Sequence, residues 1–156
     1  MRELTETVPV QAPEGFTLAF AWTYFQERAV HDKDSDVHLL LPLDAIASGL
    51  ALREPVTVEV RYIESEGVPQ ALGLSWSPSG NALPSFAGTL RPIAAGEGRC
   101  RLTLSGSYNA PGGLAGAAFD AFVGHRIAKA TITALLKQLG AAAEADYRTR
   151  SPAWSN

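Results

Sequence analysis

One histidine falls among apolar residues in the C-terminal third of the chain, where it could contact a ligand. Over residues 112–147 apolar side chains recur at helical spacing, and His125 shares their stripe with Ile132 and Leu136. An imidazole in that place could donate a hydrogen bond to a ligand carbonyl or move a proton near neutral pH. The alternative is a histidine satisfied by a neighbouring hydroxyl or carbonyl in the core.

Five aromatic side chains accompany this histidine as candidates for binding a ligand. Small-molecule sites are mostly apolar and aromatic, with a few polar groups that fix orientation. The full candidate set is Trp22, Tyr62, Trp76, Phe86, Tyr108 and His125. The alternative is that each aromatic ring only fills the core. The sequence indicates no catalytic residue.

Two glycines favour an open space beside these rings. Gly88 and Gly106 share the predicted inner faces of their strands with Phe86 and Tyr108. Glycine contributes no side chain to the packing, so it either marks a bend or leaves space. We therefore expect an apolar pocket of roughly a few hundred cubic ångströms, with His125 reaching its wall.

Metal binding is not indicated. Asp32, Asp34 and Asp36 are spaced like the opening of a calcium-binding loop, but valine stands where that loop requires glycine. His31 and His38 flank the same segment without a third ligand nearby, so a zinc site is not expected either.

Nucleophilic and cofactor chemistry lack their usual motifs. The single cysteine, Cys100, lies between Arg99 and Arg101, which would favour a thiolate. The alternative is a half-buried strand cysteine without reactivity. No Gly-x-Ser-x-Gly, His-Glu-x-x-His, Walker or Gly-x-Gly-x-x-Gly motif occurs in the sequence, so we expect no cofactor.

Length and charge limit the classes of partner. We assign residues 1–150 to a single domain and residues 151–156 to a loose tail. The 13 basic and 16 acidic residues give a net charge of −3 without a basic cluster, which argues against nucleic acid as a partner. The N-terminus has no apolar targeting segment, and no apolar run is long enough to span a membrane. We expect a cytoplasmic protein that is a monomer or a weak dimer.

The elements that must position the candidate residues are mostly strands. Alternation of apolar and polar residues predicts strands over 4–10, 37–43, 56–63, 72–77, 85–93 and 102–108. Their short hairpin spacing predicts an antiparallel meander with one dry and one wet face. The residues predicted to be buried are Val58, Val60, Leu72, Leu74, Leu102 and Leu104, and those predicted to be exposed are Glu59, Arg61, Arg101 and Thr103.

The stretch Phe16–Phe25 is ambiguous between strand and helix. Large apolar residues alternate with small ones, which favours a strand. The same residues in a helix would be apolar on all sides and therefore buried, and Pro13 before them suits a helix start. Periodicity by itself favours the strand.

The second half of the chain resembles the SRPBCC superfamily, which comprises the START and Bet v 1-like helix-grip proteins, and in particular its bacterial members. The residues that carry the resemblance are Leu74-Ser-Trp76, Phe86-Ala-Gly-Thr-Leu90, Leu102–Tyr108, Pro111, Gly113, Asp120 and His125-Arg-Ile-Ala128. The resemblance implies an α+β helix-grip fold, in which a curved antiparallel sheet wraps a long C-terminal helix around a cavity. It also implies a helix from about Glu14 to Ala29.

Three hypotheses about function follow from that resemblance. The first is binding of a small apolar or amphipathic molecule in the cavity between sheet and helix. The second is an enzyme of the cyclase, dehydratase or hydrolase kind that uses the same cavity. The third is a protein-interaction domain whose cavity is filled by aromatic side chains.

Overall fold

Six antiparallel strands and two long helices make up the part of the chain that the computed structural model describes, residues 2–29, 38–47, 56–76, 85–109 and 117–150. In chain order the elements are β1 (Arg2–Val10), α1 (Glu14–Arg28), β2 (His38–Pro42), a 3-10 turn (Leu43–Ala45), β3 (Thr57–Ser65), β4 (Val68–Trp76), β5 (Ser85–Ala94), β6 (Cys100–Asn109) and α2 (Ala117–Arg150). This arrangement is the expected α+β helix-grip fold.

The strands form one sheet in the order β1-β6-β5-β4-β3-β2, with every neighbouring pair antiparallel. Strands β2 to β6 follow one another across the sheet, which confirms the predicted meander. Helix α1 carries the chain from β1 at one edge to β2 at the other. The β3–β4 hairpin turns at Glu66 and Gly67, whose φ angles of 54° and 80° suit a two-residue turn.

The faces of the central strands are as the alternation predicted. All six apolar residues predicted to be buried are at most 1% exposed. Arg61 and Arg101 are exposed on the opposite face, while Glu59 and Thr103 are only partly exposed. For Thr103 the reason is its neighbour in β1, since the hydroxyls of Thr7 and Thr103 lie 3.0 Å apart and cover each other.

The stretch Phe16–Phe25 is a helix, so the prediction from its alternation is wrong and the one from the resemblance is right. Thr17, Leu18, Ala21, Tyr24 and Phe25 are buried, and this spacing is that of one helix face against the sheet. Phe16 and Phe20 lie on a second, half-buried side that borders α2. There the rings of Phe16 and Phe20 lie 6.2 Å apart, and that of Phe16 lies 5.0 Å from Tyr147 of α2. Two partly buried faces on one helix therefore produced the strand-like pattern.

Helix α2 lies across the sheet on the side of β1 and β6. Beyond residue 127 its buried side chains include Ala128, Thr131, Ile132, Leu135, Leu136, Leu139 and Ala143, which confirms this part of the stripe read from the sequence. His125, on the same stripe, is exposed, and the side chains of residues 117–124 lie outside the description. A Cβ at Gly140 would lie 3.3 Å from Val10, so the helix and β1 are close at this point. The amide of Gln138 donates to the hydroxyl of Tyr24 at 3.1 Å and joins the two helices.

The C-terminal end of α2 differs slightly from the prediction. The described helix, Ala117–Arg150, reaches three residues beyond the predicted end at residue 147. Residues 112–116 and the tail at 151–156 lie outside the described residues. No helix in the described ranges is both long and apolar enough to cross a membrane.

Candidate functional site

Three of the candidate aromatic residues form a row across adjacent strands on the inner face of the sheet. Tyr108 of β6 is opposite Phe86 of β5, and Phe86 is opposite Trp76 of β4. The rings of Trp76 and Phe86 stack with centroids 4.8 Å apart and an interplanar angle of 28°. All three side chains are at most 3% exposed. We call Trp76, Phe86 and Tyr108 the aromatic row.

The aromatic row lies at the end of the sheet where the chain leaves β4 and β6. The segments that continue from this end, residues 77–84 and 110–116, lie outside the described residues, as do residues 48–55 before β3. The described structure therefore shows the aromatic row and the part of α2 beside it. The predicted pocket volume stays a prediction.

His125 of α2 stands at the tyrosine end of the aromatic row. Its Nδ1 atom lies 2.9 Å from the hydroxyl oxygen of Tyr108, and the two ring centroids are 6.0 Å apart. Tyr108 is 2% exposed, whereas the imidazole is largely exposed. The alternative interpretation predicted a core histidine that hydrogen-bonds a neighbouring hydroxyl. The hydrogen bond is present, but His125 is not in the core, because it lies at the margin between helix and sheet.

The two glycines do not leave the space expected of them. A Cβ atom at Gly88 would lie 2.6 Å from Cζ of Phe86, and one at Gly106 would lie 2.8 Å from the same atom. The Phe86 ring therefore lies over both glycines and occupies the volume that their missing side chains would take. The expectation that these glycines open the pocket is wrong.

Trp22 and Tyr62 form a separate pair rather than part of the aromatic row. Their rings meet edge to face at 4.8 Å, between α1 and β3, and both side chains are half-buried. Tyr62 lies four residues along β3 from Val58, the partner of Trp76, which is about 13 Å. Burial, with a smaller effect from the Glu64 carboxylate, raises the pKa of the Tyr62 hydroxyl. The six candidates thus fall into two groups at different ends of the inner face.

Cys100 is a buried thiol and not the thiolate that its arginine neighbours suggested. Its side chain is 1% exposed, and its S–H donates to the hydroxyl of Thr17 at 3.4 Å. That hydroxyl donates in turn to the carbonyl of Pro13 at 2.9 Å. Burial raises the pKa of the thiol, and Glu14 raises it further, against the opposing effect of the Thr17 hydrogen bond. The flanking arginines point to the exposed face because strand side chains alternate.

The segment with the spacing of a calcium loop lies mostly beyond what the structure describes. Residues 31–37 are outside the described ranges, and of His38 only the backbone position at the start of β2 is described. Among the described residues no three histidine, cysteine or acidic side chains come together as a metal site.

One charged feature beside the site was missed by the sequence reasoning. The even-numbered residues of β1 face the helix, which places Glu6 on the inner face, 3.8 Å from Lys129 of α2. Arg2 occupies the same face and is directly opposite Tyr108 in the register of β1 and β6. The loose alternation over residues 4–10 indicated that this strand has two different faces, but it did not indicate which face the helix would cover.

A groove of about 440 Å³ lies elsewhere, between α1 and the end of α2. Phe16 and Phe20 form its apolar side, and Asp146 and Arg150 form a charged rim. Arg150 donates to Asp146 at 2.7 Å, so these two charges are already paired. None of the six candidate residues lines this groove.

Comparison with known proteins identifies the fold. No family model and no curated protein matches the chain. Among solved structures, the aromatase/cyclase Zhui from a Streptomyces species has a TM-score of 0.63 at 15% identity, covering 97% of each chain. TTHA0849 from Thermus thermophilus has a TM-score of 0.64 at 16% identity, covering 93% of this chain and 99% of its own. CV1439 from Chromobacterium violaceum has a TM-score of 0.58 at 16% identity, with 92% and 99% covered. These similarities place the chain in the helix-grip fold of SRPBCC-type proteins.

Proposed function

We propose that this helix-grip domain binds a small apolar or amphipathic molecule between its sheet and α2, at the aromatic row. The observation that carries the proposal is the position of His125. It is an exposed, hydrogen-bonding side chain held at the end of three buried aromatic rings by the hydroxyl of one of them. An apolar floor with one oriented polar group is the usual composition of a small-molecule site.

The similarity of fold to a solved structure is a second observation that supports the proposal. One structural neighbour is an aromatase/cyclase, a protein named for action on a small molecule, and it matches over nearly the whole chain. At such low identity the likeness concerns the fold, and the residues of the site must be tested in this chain itself.

The first test is to look for a molecule that the protein already holds. Native mass spectrometry of freshly purified protein should show a fraction heavier than 16.6 kDa by a few hundred daltons, and solvent extraction should recover that molecule. The recovered molecule should bind again to stripped protein with a 1:1 stoichiometry. A single unliganded mass, together with no binding of an apolar probe, would contradict the proposal.

The second test locates the site with an uncharged fluorescent probe, N-phenyl-1-naphthylamine. We expect saturable binding that Trp76→Leu weakens about tenfold, since a lost aromatic contact of about 1.4 kcal/mol corresponds to that factor. Trp22→Leu is the matched control, because Trp22 belongs to the other aromatic pair. Equal weakening by both variants would place the probe elsewhere.

An enzyme is the second candidate function, and the Tyr108–His125 hydrogen bond favours it. An imidazole with one ring nitrogen held by a phenol presents its other nitrogen in a defined direction, as an acid–base group requires. If the recovered molecule is incubated with fresh protein, an enzyme should convert it to a product of different mass, and His125→Ala should abolish that change. If the molecule is recovered unchanged, the enzyme hypothesis is contradicted and binding remains as the proposed function.

A further inference from the structure

The hydrogen bond between Tyr108 and His125 determines which nitrogen of the imidazole is free to meet a ligand. Tyr108 is 2% exposed, so its O–H needs an acceptor, and within the described residues that acceptor is Nδ1 of His125 at 2.9 Å. A phenol donates more readily than it accepts, and an unprotonated imidazole nitrogen is a good acceptor. The neutral ring therefore carries its proton on Nε2, and a protonated ring carries protons on both nitrogens.

The Nε2–H group lies where a bound molecule could use it. The imidazole is exposed although the hydroxyl that holds it is buried, and no described partner takes its second nitrogen. The hydrogen bond to Tyr108 fixes the ring without covering it. His125 is thus a positioned donor at the edge of the apolar floor, and it cannot accept from a ligand through Nδ1.

The charged groups around His125 favour a negative ligand group. Arg2 lies opposite Tyr108 on the same face of the sheet and is exposed. The next charged position along that face of β1 is Glu6, which is paired with Lys129 of α2 at 3.8 Å. On this face of β1 the acid, Glu6, is therefore already engaged by a cation.

We propose that the polar end of the ligand is a carboxylate, which accepts from Nε2–H of His125 and pairs with Arg2 while its apolar body lies along the aromatic row. The ligand class is then an amphipathic monocarboxylic acid. This inference rests on the proposed function and goes further by assigning the chemistry of the ligand and the two residues that select it. A charge-assisted hydrogen bond to a carboxylate is stronger than one to a neutral carbonyl, so the acid should bind more tightly than its ester.

The experiment compares cis-parinaric acid with its methyl ester, two fluorescent probes that differ only in the charged group. N-phenyl-1-naphthylamine serves as the neutral reference. At about pH 7, where the carboxylate is ionised, the acid should bind the wild type about tenfold more tightly than the ester.

Three variants separate the parts of this proposal. His125→Ala should remove most of the preference for the acid, and Arg2→Ala should reduce it about threefold at low ionic strength. His125→Gln keeps an N–H donor, so it should keep part of the preference. Lys137→Ala is the control, since this exposed cation lies more than three helical turns from His125 and should leave the preference intact.

The possible outcomes distinguish the two proposals. If the neutral probe binds but acid and ester bind equally, the carboxylate proposal is overturned and the proposed function stands. If the full acid preference persists in both His125→Ala and Arg2→Ala, the assignment to this corner is overturned. If no probe binds at all, the proposed function and the inference both fail.

Discussion

The hydroxyl of Tyr108 and Nδ1 of His125 lie 2.9 Å apart, joining the end of β6 to the first half of α2. The residues are 17 positions apart, and the intervening chain includes the segment 110–116 outside the described residues. This hydrogen bond links the apolar interior of the sheet to an exposed side chain. It is therefore the contact on which both the stability of this corner and the proposed ligand preference depend.

A double-mutant cycle measures that contact. Tyr108→Phe and His125→Ala should show a coupling in unfolding free energy of about 0.5–1.5 kcal/mol, the usual net value of a protein hydrogen bond. Urea denaturation of the wild type, the two single variants and the double variant gives this value. The Glu6–Lys129 pair is the control, because an ion pair at 3.8 Å near the surface should couple by under about 0.5 kcal/mol. Strict additivity at Tyr108 and His125 would show that the hydrogen bond does not form in solution.

The tight packing at Gly106 makes a second prediction. A Cβ at this position would lie 2.5 Å from Cα of Gly88 and would also contact the carbonyl of Ala87, both backbone atoms that cannot move aside easily. Gly106→Ala should therefore destabilise the fold by about 1–3 kcal/mol or more. Gly73→Ala is the matched change, because its nearest neighbour is Cδ1 of Ile63 at 3.6 Å, an ordinary contact. Thermal unfolding of both variants checks this, and equal midpoints would contradict the close approach of β5 and β6.

Removal of a core side chain makes a third prediction. Leu104 is fully buried at the centre of β6, so Leu104→Ala should lower the unfolding free energy by about 2–5 kcal/mol. Val68 is 56% exposed, and Val68→Ala should change that energy by under about 0.5 kcal/mol. Guanidinium denaturation of the two variants provides the comparison. A loss under about 0.5 kcal/mol at Leu104 would mean that the faces of β6 are assigned the wrong way round.

The buried thiol makes a fourth prediction, which concerns alkaline pH. Burial raises the pKa of Cys100 in the folded protein above its ordinary value of 9.0. Between these two values the unfolded chain has lost the proton and the folded one has kept it, so stability falls as the pH rises above about 9. Below pH 9 this contribution is fully present. The wild type should therefore lose more stability than Cys100→Ala between about pH 8 and 10.5, as measured by urea denaturation at each pH.

The same thiol should react slowly with disulfide reagents in the native state. At neutral pH, Cys100 should be modified only after denaturant is added, since the thiolate is the reactive form and the sulfur is buried. Rapid native modification, or parallel pH profiles for the wild type and Cys100→Ala, would contradict the buried, protonated thiol.

The strands, their faces and the presence of the long C-terminal helix could be predicted from the sequence by itself, whereas the pairing of β1 with β6 could not. Each of these depends on a local period, two residues for strands such as Val56–Ile63 and about 3.6 for the stripe that contains Ile132 and Leu136. The resemblance to helix-grip proteins added what the period could not, namely that Glu14–Arg28 is a helix. There the period failed because the helix packs with two sides at once, one on the sheet and one beside α2.

Only the tertiary structure decided the composition of the site. The sequence indicated six candidate residues, but their division into the aromatic row with His125 and the distant pair of Trp22 and Tyr62 depends on register and helix placement. It also could not indicate that the Phe86 ring fills the space above Gly88 and Gly106, because a rotamer depends on what surrounds it. Periodicity reports which side of an element is apolar. Whether two side chains meet across elements depends on long-range packing, which no local pattern contains.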